Sequence, residues 1–240
     1  MPDIQIATAD GNFSAYLAVP AATPAPGIIL AQEIFGVNKV MRTIADTFAT
    51  QGFAAICPDL FWRQEPGVDI TDGSEAEWAK AFQLFQGFNV DKGVDDLKAT
   101  LAVLRKRPEC NGKAAAVGYC LGGSLAYFMA TRSDVDCAVA YYGVSIHDAL
   151  NEAKNIKKPL MLHIAENDKF VPKEAQDQIK AALGSNPHVS IHSYPGQDHA
   201  FARVGGLSYV PAAASLANQR TVVFLAKHLG KPVVKRPHQG

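Results

Sequence analysis

Gly118-Tyr119-Cys120-Leu121-Gly122-Gly123 is the stretch that decides the fold. It follows an apolar run over 113–117 that reads as a strand, and it opens a segment over 121–131 that reads as a helix. A nucleophile elbow has this grammar: its central residue sits on a strained strand-to-helix turn that lifts the side chain above the sheet. Gly118 and Gly122 remove side chains that would collide where strand and helix come close. At a helix N-terminus the backbone N–H groups and the dipole favour a thiolate and, later, an oxyanion. The usual serine is here Cys120. Taken alone the hexapeptide has other uses, because free cysteine is often buried for packing and glycine-rich turns of this kind also bind phosphate.

On both sides of the elbow, short β-like runs alternate with longer helix-like segments. Strands are expected at 4–7 and 15–19, with Asp10-Gly11 as a hairpin turn, then at 27–31, 53–57, 137–142, 160–165 and 188–194. Helices are expected at 38–51, 74–87, 90–105, 173–183 and 212–228; in the first, Val40, Ile44 and Phe48 form an apolar stripe that Gly52 stops. This rhythm predicts an α/β fold with a mostly parallel central sheet and helices on both faces. Residues 65–73 are the most loop-like interior stretch. No repeat or linker divides the chain, so one domain over 1–240 is expected, with 231–240 a frayed tail.

Composition removes several function classes. The 240 residues carry 23 basic and 23 acidic side chains, which offers no electrostatic footprint for nucleic acid or an anionic membrane. No stretch approaches the ~18 apolar residues of a spanning helix, and the start Met1-Pro2-Asp3-Ile4-Gln5 lacks the basic and apolar regions of a signal peptide. Cys57, Cys110, Cys120 and Cys137 show no Cys-x-x-Cys spacing, so neither a zinc cage nor a disulfide framework is expected. Cys57, Cys110 and Cys137 lack the elbow's context and read as structural. These features predict a cytoplasmic protein that needs no metal or cofactor, acts on a small molecule and can work as a monomer.

A cysteine nucleophile needs a general base and a carboxylate to orient it, in the chain order nucleophile, acid, base for this architecture. Asp168 lies just past the strand at 160–165, where ligands bind in open α/β sheets. His199 lies in the turn-rich loop after the next strand, in Tyr194-Pro-Gly-Gln-Asp-His199. Among seven histidines, His163 and His192 fall within strands, His228 near a helix end and His238 in the tail; His147 and His188 lack a matching acid. Asp198 is adjacent to His199 and better placed to shape the turn than to reach the far ring nitrogen. The trio Cys120, Asp168, His199 is therefore expected to be catalytic. The oxyanion hole is expected from the N–H groups of Leu121 and Ile34, the latter in the loop after 27–31. Glu33 beside it has two readings: a helix-start acid, or a gate on the thiol, since a nearby carboxylate opposes a thiolate.

Together these segments resemble the dienelactone hydrolases (carboxymethylenebutenolidases) of the α/β-hydrolase fold. The resemblance is carried by Ala31-Gln-Glu-Ile-Phe-Gly-Val-Asn38, Cys57-Pro-Asp-Leu60, Val117-Gly-Tyr-Cys-Leu-Gly-Gly123, Tyr141-Tyr-Gly-Val144 and His199-Ala-Phe-Ala-Arg203, and it extends over nearly the whole chain. It implies a Cys120/His199/Asp168 triad, with Glu33 holding the resting thiol neutral until substrate redirects it. It also implies a carboxylated unsaturated five-membered lactone as substrate, opened to maleylacetate in aromatic degradation and clamped by arginines. Arg203 matches one of these. A second arginine is expected where this chain has Trp78, and a tyrosine where it has Phe82. Phe35 and Tyr142, within the matching segments, are also expected at the substrate.

The departure at Trp78 predicts a more apolar pocket, because tryptophan offers one N–H and a large apolar face in place of an arginine's planar fork. Either another group, such as Arg63, binds the carboxylate, or the substrate is a less charged lactone or ester. As helix neighbours, Trp78 and Phe82 also fit an ordinary core stripe. The expected chemistry is acyl transfer to Cys120 followed by hydrolysis of the thioester. Two other classes compete: a ligand-binding module without turnover, marked by tight binding and no product, and a redox thiol protein, marked by thiol-dependent peroxide consumption.

Overall fold

Strands poor in polar residues take the centre of the sheet. The computed structural model describes residues 3–232. In it β3 (Ala25–Ala31), β4 (Ala54–Pro58) and β6 (Cys137–Tyr141) are buried along their whole length, as is β7 (Leu160–Ala165). Such runs are what a sheet covered on both faces requires. β5 (Cys110–Tyr119) is buried from Ala114 onward. The hairpin of β1 (Ile4–Thr8) and β2 (Gly11–Ala18) forms one edge and β8 (Val189–Tyr194) the other. The order is β1-β2-β4-β3-β5-β6-β7-β8, with β1–β2 and β2–β4 antiparallel and the remaining pairs parallel.

The helices are α1 (Lys39–Thr50), α2 (Glu75–Gln86), α3 (Val90–Lys106), α4 (Leu121–Arg132), α5 (Lys173–Leu183) and α6 (Pro211–Leu229). The first three start on side-chain caps, Asn38, Ser74 and Asn89, each accepting a backbone N–H of the first turn. α4 is different: every residue from Leu121 to Thr131 is buried. Glycine allows this. A Cβ on Gly118 would lie 1.9 Å from the Gly122 carbonyl oxygen, and one on Gly122 would lie 2.1 Å from that of Ala31. The expected close approach of strand and helix is therefore present, and α4 sits directly against the ends of β3 and β5.

Some boundaries differ from expectation. The β1–β2 connection is Ala9-Asp10, and Gly11 already pairs with Thr8 as a strand residue. Pro58 belongs to β4, opposite Ala15 at the last pair of the β2–β4 ladder, where a missing N–H removes no interior bond. β6 stops at Tyr141 because Tyr142 turns to a positive φ of 37°. A 3-10 segment, Ile146–Asn155, was not expected; its apolar pattern is too short to declare a helix. The expected frayed tail lies, from residue 233 on, outside the described residues. Among the described residues no helix is long and apolar enough to cross a membrane.

The parallel register brings the strand ends into line. Ala31 pairs with Gly118, Tyr119 with Tyr141, Tyr141 with His163 and Ala165 with Tyr194. The loops after β3, β5, β6, β7 and β8 consequently leave the sheet along one edge.

Candidate active site

Cys120 follows β5 and caps α4 with φ 55° and ψ −114°, a conformation that L-residues avoid at a cost of about 1–3 kcal/mol. Neighbouring strands hold it there. Its N–H donates to the Tyr141 carbonyl at 3.1 Å, and its own carbonyl accepts from Gly123, Ser124 and Val144 at 3.0, 3.3 and 3.4 Å. The result is a mostly buried thiol, 7% exposed, directly at the first turn of a buried helix. The backbone N–H groups of Ile34 and Leu121 have no hydrogen-bond acceptor among the described residues. Both are thus free to donate to an oxyanion beside Cys120.

Asp168, just past β7, accepts the N–H groups of Phe170 and Val171 on Oδ1 at 2.8 and 3.2 Å. Those bonds fix the carboxylate and leave Oδ2 to meet His199 Nδ1 at 2.7 Å. The two loops are also joined through their backbones, Asn167 N–H to the Gln197 carbonyl at 2.8 Å. Asp198 accepts the His199 N–H at 2.7 Å, the turn-shaping role expected of it. The imidazole is held edge-on between Tyr142 and Phe170, with centroids 5.0 and 4.9 Å away. Its Nε2 is buried and has no hydrogen-bond partner among the described residues. Burial by itself would lower the His199 pKa. The neighbouring Cys120 sulfur and the bond to Asp168 outweigh it and lift the value to about 10.

Glu33 and Arg203 come together from opposite ends of the chain. Arg203 Nε donates to Glu33 Oε2 at 2.7 Å and Nη2 to Oε1 at 3.2 Å, both groups buried. Arg203 Nη1 donates to Asp72 Oδ2 at 2.7 Å, and its guanidinium lies 4.8 Å from the centre of the Phe35 ring. Glu33 therefore faces Arg203 and makes no hydrogen bond to Cys120 here. Arg203, expected to clamp a substrate carboxylate, already holds two carboxylates of its own chain. Asp72 was not anticipated: it lies 131 residues from its partner, in a stretch read only as loop.

The cleft above Cys120 encloses about 360 Å³, its mouth included, and is lined by Ile34, Trp78, Phe82, Phe85, Cys120, Val144, Phe170, His199 and Arg203. Trp78 and Phe82 are stacked at 5.5 Å on the cleft side of α2, whose buried residues are instead Ala81 and Leu84. They are wall, not core stripe. Two expectations need correction. Phe35 is buried under Arg203 and edge-on to Trp78 at 5.1 Å, so it supports the wall without lining it. Tyr142 lies behind His199, and its hydroxyl is buried with no partner among the described residues. Arg63 is engaged elsewhere, with Asp96 and Asp10. Phe170, Val144 and Phe85 were missed; only Phe170, two residues after the acid, carried a positional signal. The other three cysteines are buried and free, and burial pushes the Cys137 thiol up to about 12.

A mostly parallel sheet with a cysteine elbow at its carboxyl edge, on a cleft shared with a histidine that follows β8 and is bonded to an acid that follows β7, defines an α/β-hydrolase. A sequence model of the dienelactone hydrolase family matches residues 13–229. A homologue from Azospirillum brasilense is 52% identical, the match covering 96% of this chain and all of the homologue. The carboxymethylenebutenolidase of Pseudomonas putida is 43% identical over 93% of this chain and 95% of its own. A solved structure from Klebsiella pneumoniae superposes with a TM-score of 0.83 at 25% identity, covering 94% of this chain and 98% of that one. The chain belongs to the dienelactone hydrolase family, and it is a hydrolase of carboxylic ester and lactone bonds.

Proposed function

We propose that this chain opens enol lactones and activated esters through a Cys120–His199–Asp168 triad and a thioester acyl-enzyme, with the carboxylated dienelactone of its relatives as the model substrate and a maleylacetate-type acid as product. The observation that carries this reading is the 2.7 Å bond from His199 Nδ1 to Asp168, which leaves a buried, unpaired Nε2 on the cleft that Cys120 lines. The Cys120 thiolate attacks the lactone carbonyl, whose oxygen takes up the N–H groups of Ile34 and Leu121. The S–C bond forms, the ring C–O bond breaks, and the departing enolate takes its proton from the imidazolium, which leaves His199 neutral. Water then gives a proton to His199 Nε2 and adds to the thioester; the acid leaves and the proton on His199 balances the regenerated thiolate. On this reading the enzyme works as a monomer in the cytoplasm on products of aromatic-ring degradation.

A second reading concerns substrate charge. Trp78 donates its Nε1–H to the Asp72 carbonyl at 3.1 Å and turns its ring to the cleft, and Arg203 is already paired. Both favour a less charged lactone or ester. The reaction itself is tested with Cys120→Ala: lactone hydrolysis should fall by a factor on the order of 10³ or more, and the intact enzyme, quenched during turnover, should carry an acyl mass on the peptide containing Cys120. Undiminished hydrolysis by the variant would remove the proposal.

A further inference from the structure

We infer that Asp72 is a specificity-determining residue, one that turns the cleft against anionic substrates by occupying Arg203. This deepens the hydrolase reading above and rests on it for the identity of the cleft.

The loop that carries Asp72 is built to hold it in place. Ser74 caps α2, and Glu77 reaches back to accept the Thr71 N–H at 2.9 Å, the Thr71 hydroxyl at 3.0 Å and the Ser74 hydroxyl at 3.0 Å. On its other side the loop lies along the segment after β3. Asn38 Nδ2 donates to the Ile70 carbonyl at 2.8 Å, and the Ile70 N–H donates to the Phe35 carbonyl at 3.2 Å. The Asp72 side chain is only 13% exposed. Its carboxylate takes Arg203 Nη1 at 2.7 Å and the Leu207 N–H at 3.4 Å, and its carbonyl takes the Trp78 indole at 3.1 Å. One residue thus fastens two walls of the cleft.

The charge count follows. Glu33 and Asp72 place two carboxylates on the single guanidinium of Arg203. All three nitrogens of that guanidinium are already donating. With Trp78 neutral, this end of the cleft carries one formal negative charge. A substrate carboxylate entering here meets like charge in a desolvated wall, whereas a neutral carbonyl or amide can use the remaining Arg203 hydrogens without that penalty. Glu33 alone would leave Arg203 balanced. Asp72 supplies the excess.

The test compares a five-membered unsaturated lactone bearing an exocyclic carboxylate with the same lactone bearing a carboxamide. Binding of both is titrated on the Cys120→Ala background, where nothing is consumed, with Asp72 intact, Asp72→Asn and Asp72→Glu. Turnover is read in parallel on enzymes retaining Cys120. Asp72→Asn should shift the carboxylate-to-carboxamide affinity ratio towards the carboxylate by about tenfold, one charge-assisted interaction. The shift should appear in KM of the active enzymes, and Asp72→Glu should keep the original ratio. A ratio that moves less than about twofold in Asp72→Asn would overturn the inference, as would an equal shift in Asp72→Glu, which would make Asp72 a loop anchor without electrical effect. Absence of Cys120-dependent turnover would remove the proposed Cys120 acyl-enzyme while the binding ratio still decides the role of Asp72.

Discussion

Asp168 fixes the charge state of His199 from behind. Two backbone N–H groups hold its Oδ1, so Oδ2 has one place to go, His199 Nδ1 at 2.7 Å. On the proposed triad, asparagine there removes one of the groups that raise the His199 pKa, and a Cys120 thiolate loses the support of a protonated imidazole. Asp168→Asn should therefore slow both alkylation of Cys120 by iodoacetamide at neutral pH and lactone turnover, the latter by a factor on the order of 10³ or more. Equal alkylation rates in the two proteins would show that His199 holds its proton without the acid. At this scale the gathering of Cys120, Asp168 and His199 was legible in the sequence, because each stands just past a strand in an order that the sheet converts into proximity. Arg203 with Glu33 and Asp72 was not legible as a cluster. Its members are 131 and 170 residues apart, and nothing local says that two loops approach one guanidinium.

Arg63 shows the same logic between elements. The sequence offers it as one of two ways to meet a substrate carboxylate, but its guanidinium bonds both oxygens of Asp96 on α3, a fully buried carboxylate, and also reaches Asp10 in the β1–β2 turn. Trp62 donates its indole N–H to the same Asp96 at 2.9 Å. The hairpin, the segment after β4 and helix α3 are pinned at one point. Arg63→Ala strands a buried charge and should cost about 3–5 kcal/mol in urea unfolding. Asp96→Ala leaves a partly exposed guanidinium and should cost less. The double variant should be milder than the sum, and strict additivity would deny the coupling. Periodicity located α2 and α3 to within about one residue of their observed ends, since Ser74 and Asn89 announce the caps. It gave no warning of the 3-10 segment Ile146–Asn155, which packs Ile146 and Ala149 inward without a full helical stripe.

Across the whole molecule, acid sensitivity should centre on the seam between sheet and last helix. His163 on β7 is buried, its Nδ1 2.7 Å from the Tyr194 hydroxyl and its Nε2 2.9 Å from the Thr221 hydroxyl of α6. Thr221 also meets the Tyr141 hydroxyl at 2.6 Å. Burial holds the His163 pKa well below 6.5. Below pH 6.5 the unfolded chain binds a proton there that the folded chain refuses, so stability falls as pH drops, by up to about 1.4 kcal/mol per pH unit for this one group. His163→Gln should flatten the fall of the urea midpoint between about pH 6.5 and 5; parallel curves for the two proteins would place the acid sensitivity elsewhere. The mostly parallel sheet, its covered faces and the edge that carries the candidate site were readable in the sequence, because apolar runs and their stop signals are local; the strand order was not, because pairing joins distant segments. Which apolar residues line the cleft, Phe170 and Val144 in place of Phe35 and Tyr142, depends on side-chain directions that strand ends alone do not set.

Asp72, Trp78 and Phe82 all belong to the excursion between β4 and α3, which carries none of Cys120, Asp168 and His199. Cys120 is locked by glycines and neighbouring strands that tolerate almost no exchange, while the excursion is held by its own cap and its own loop contacts. Inheritance can therefore act on the two separately. Changes in the excursion can re-line the cleft and leave the backbone turn that carries Cys120 as it is.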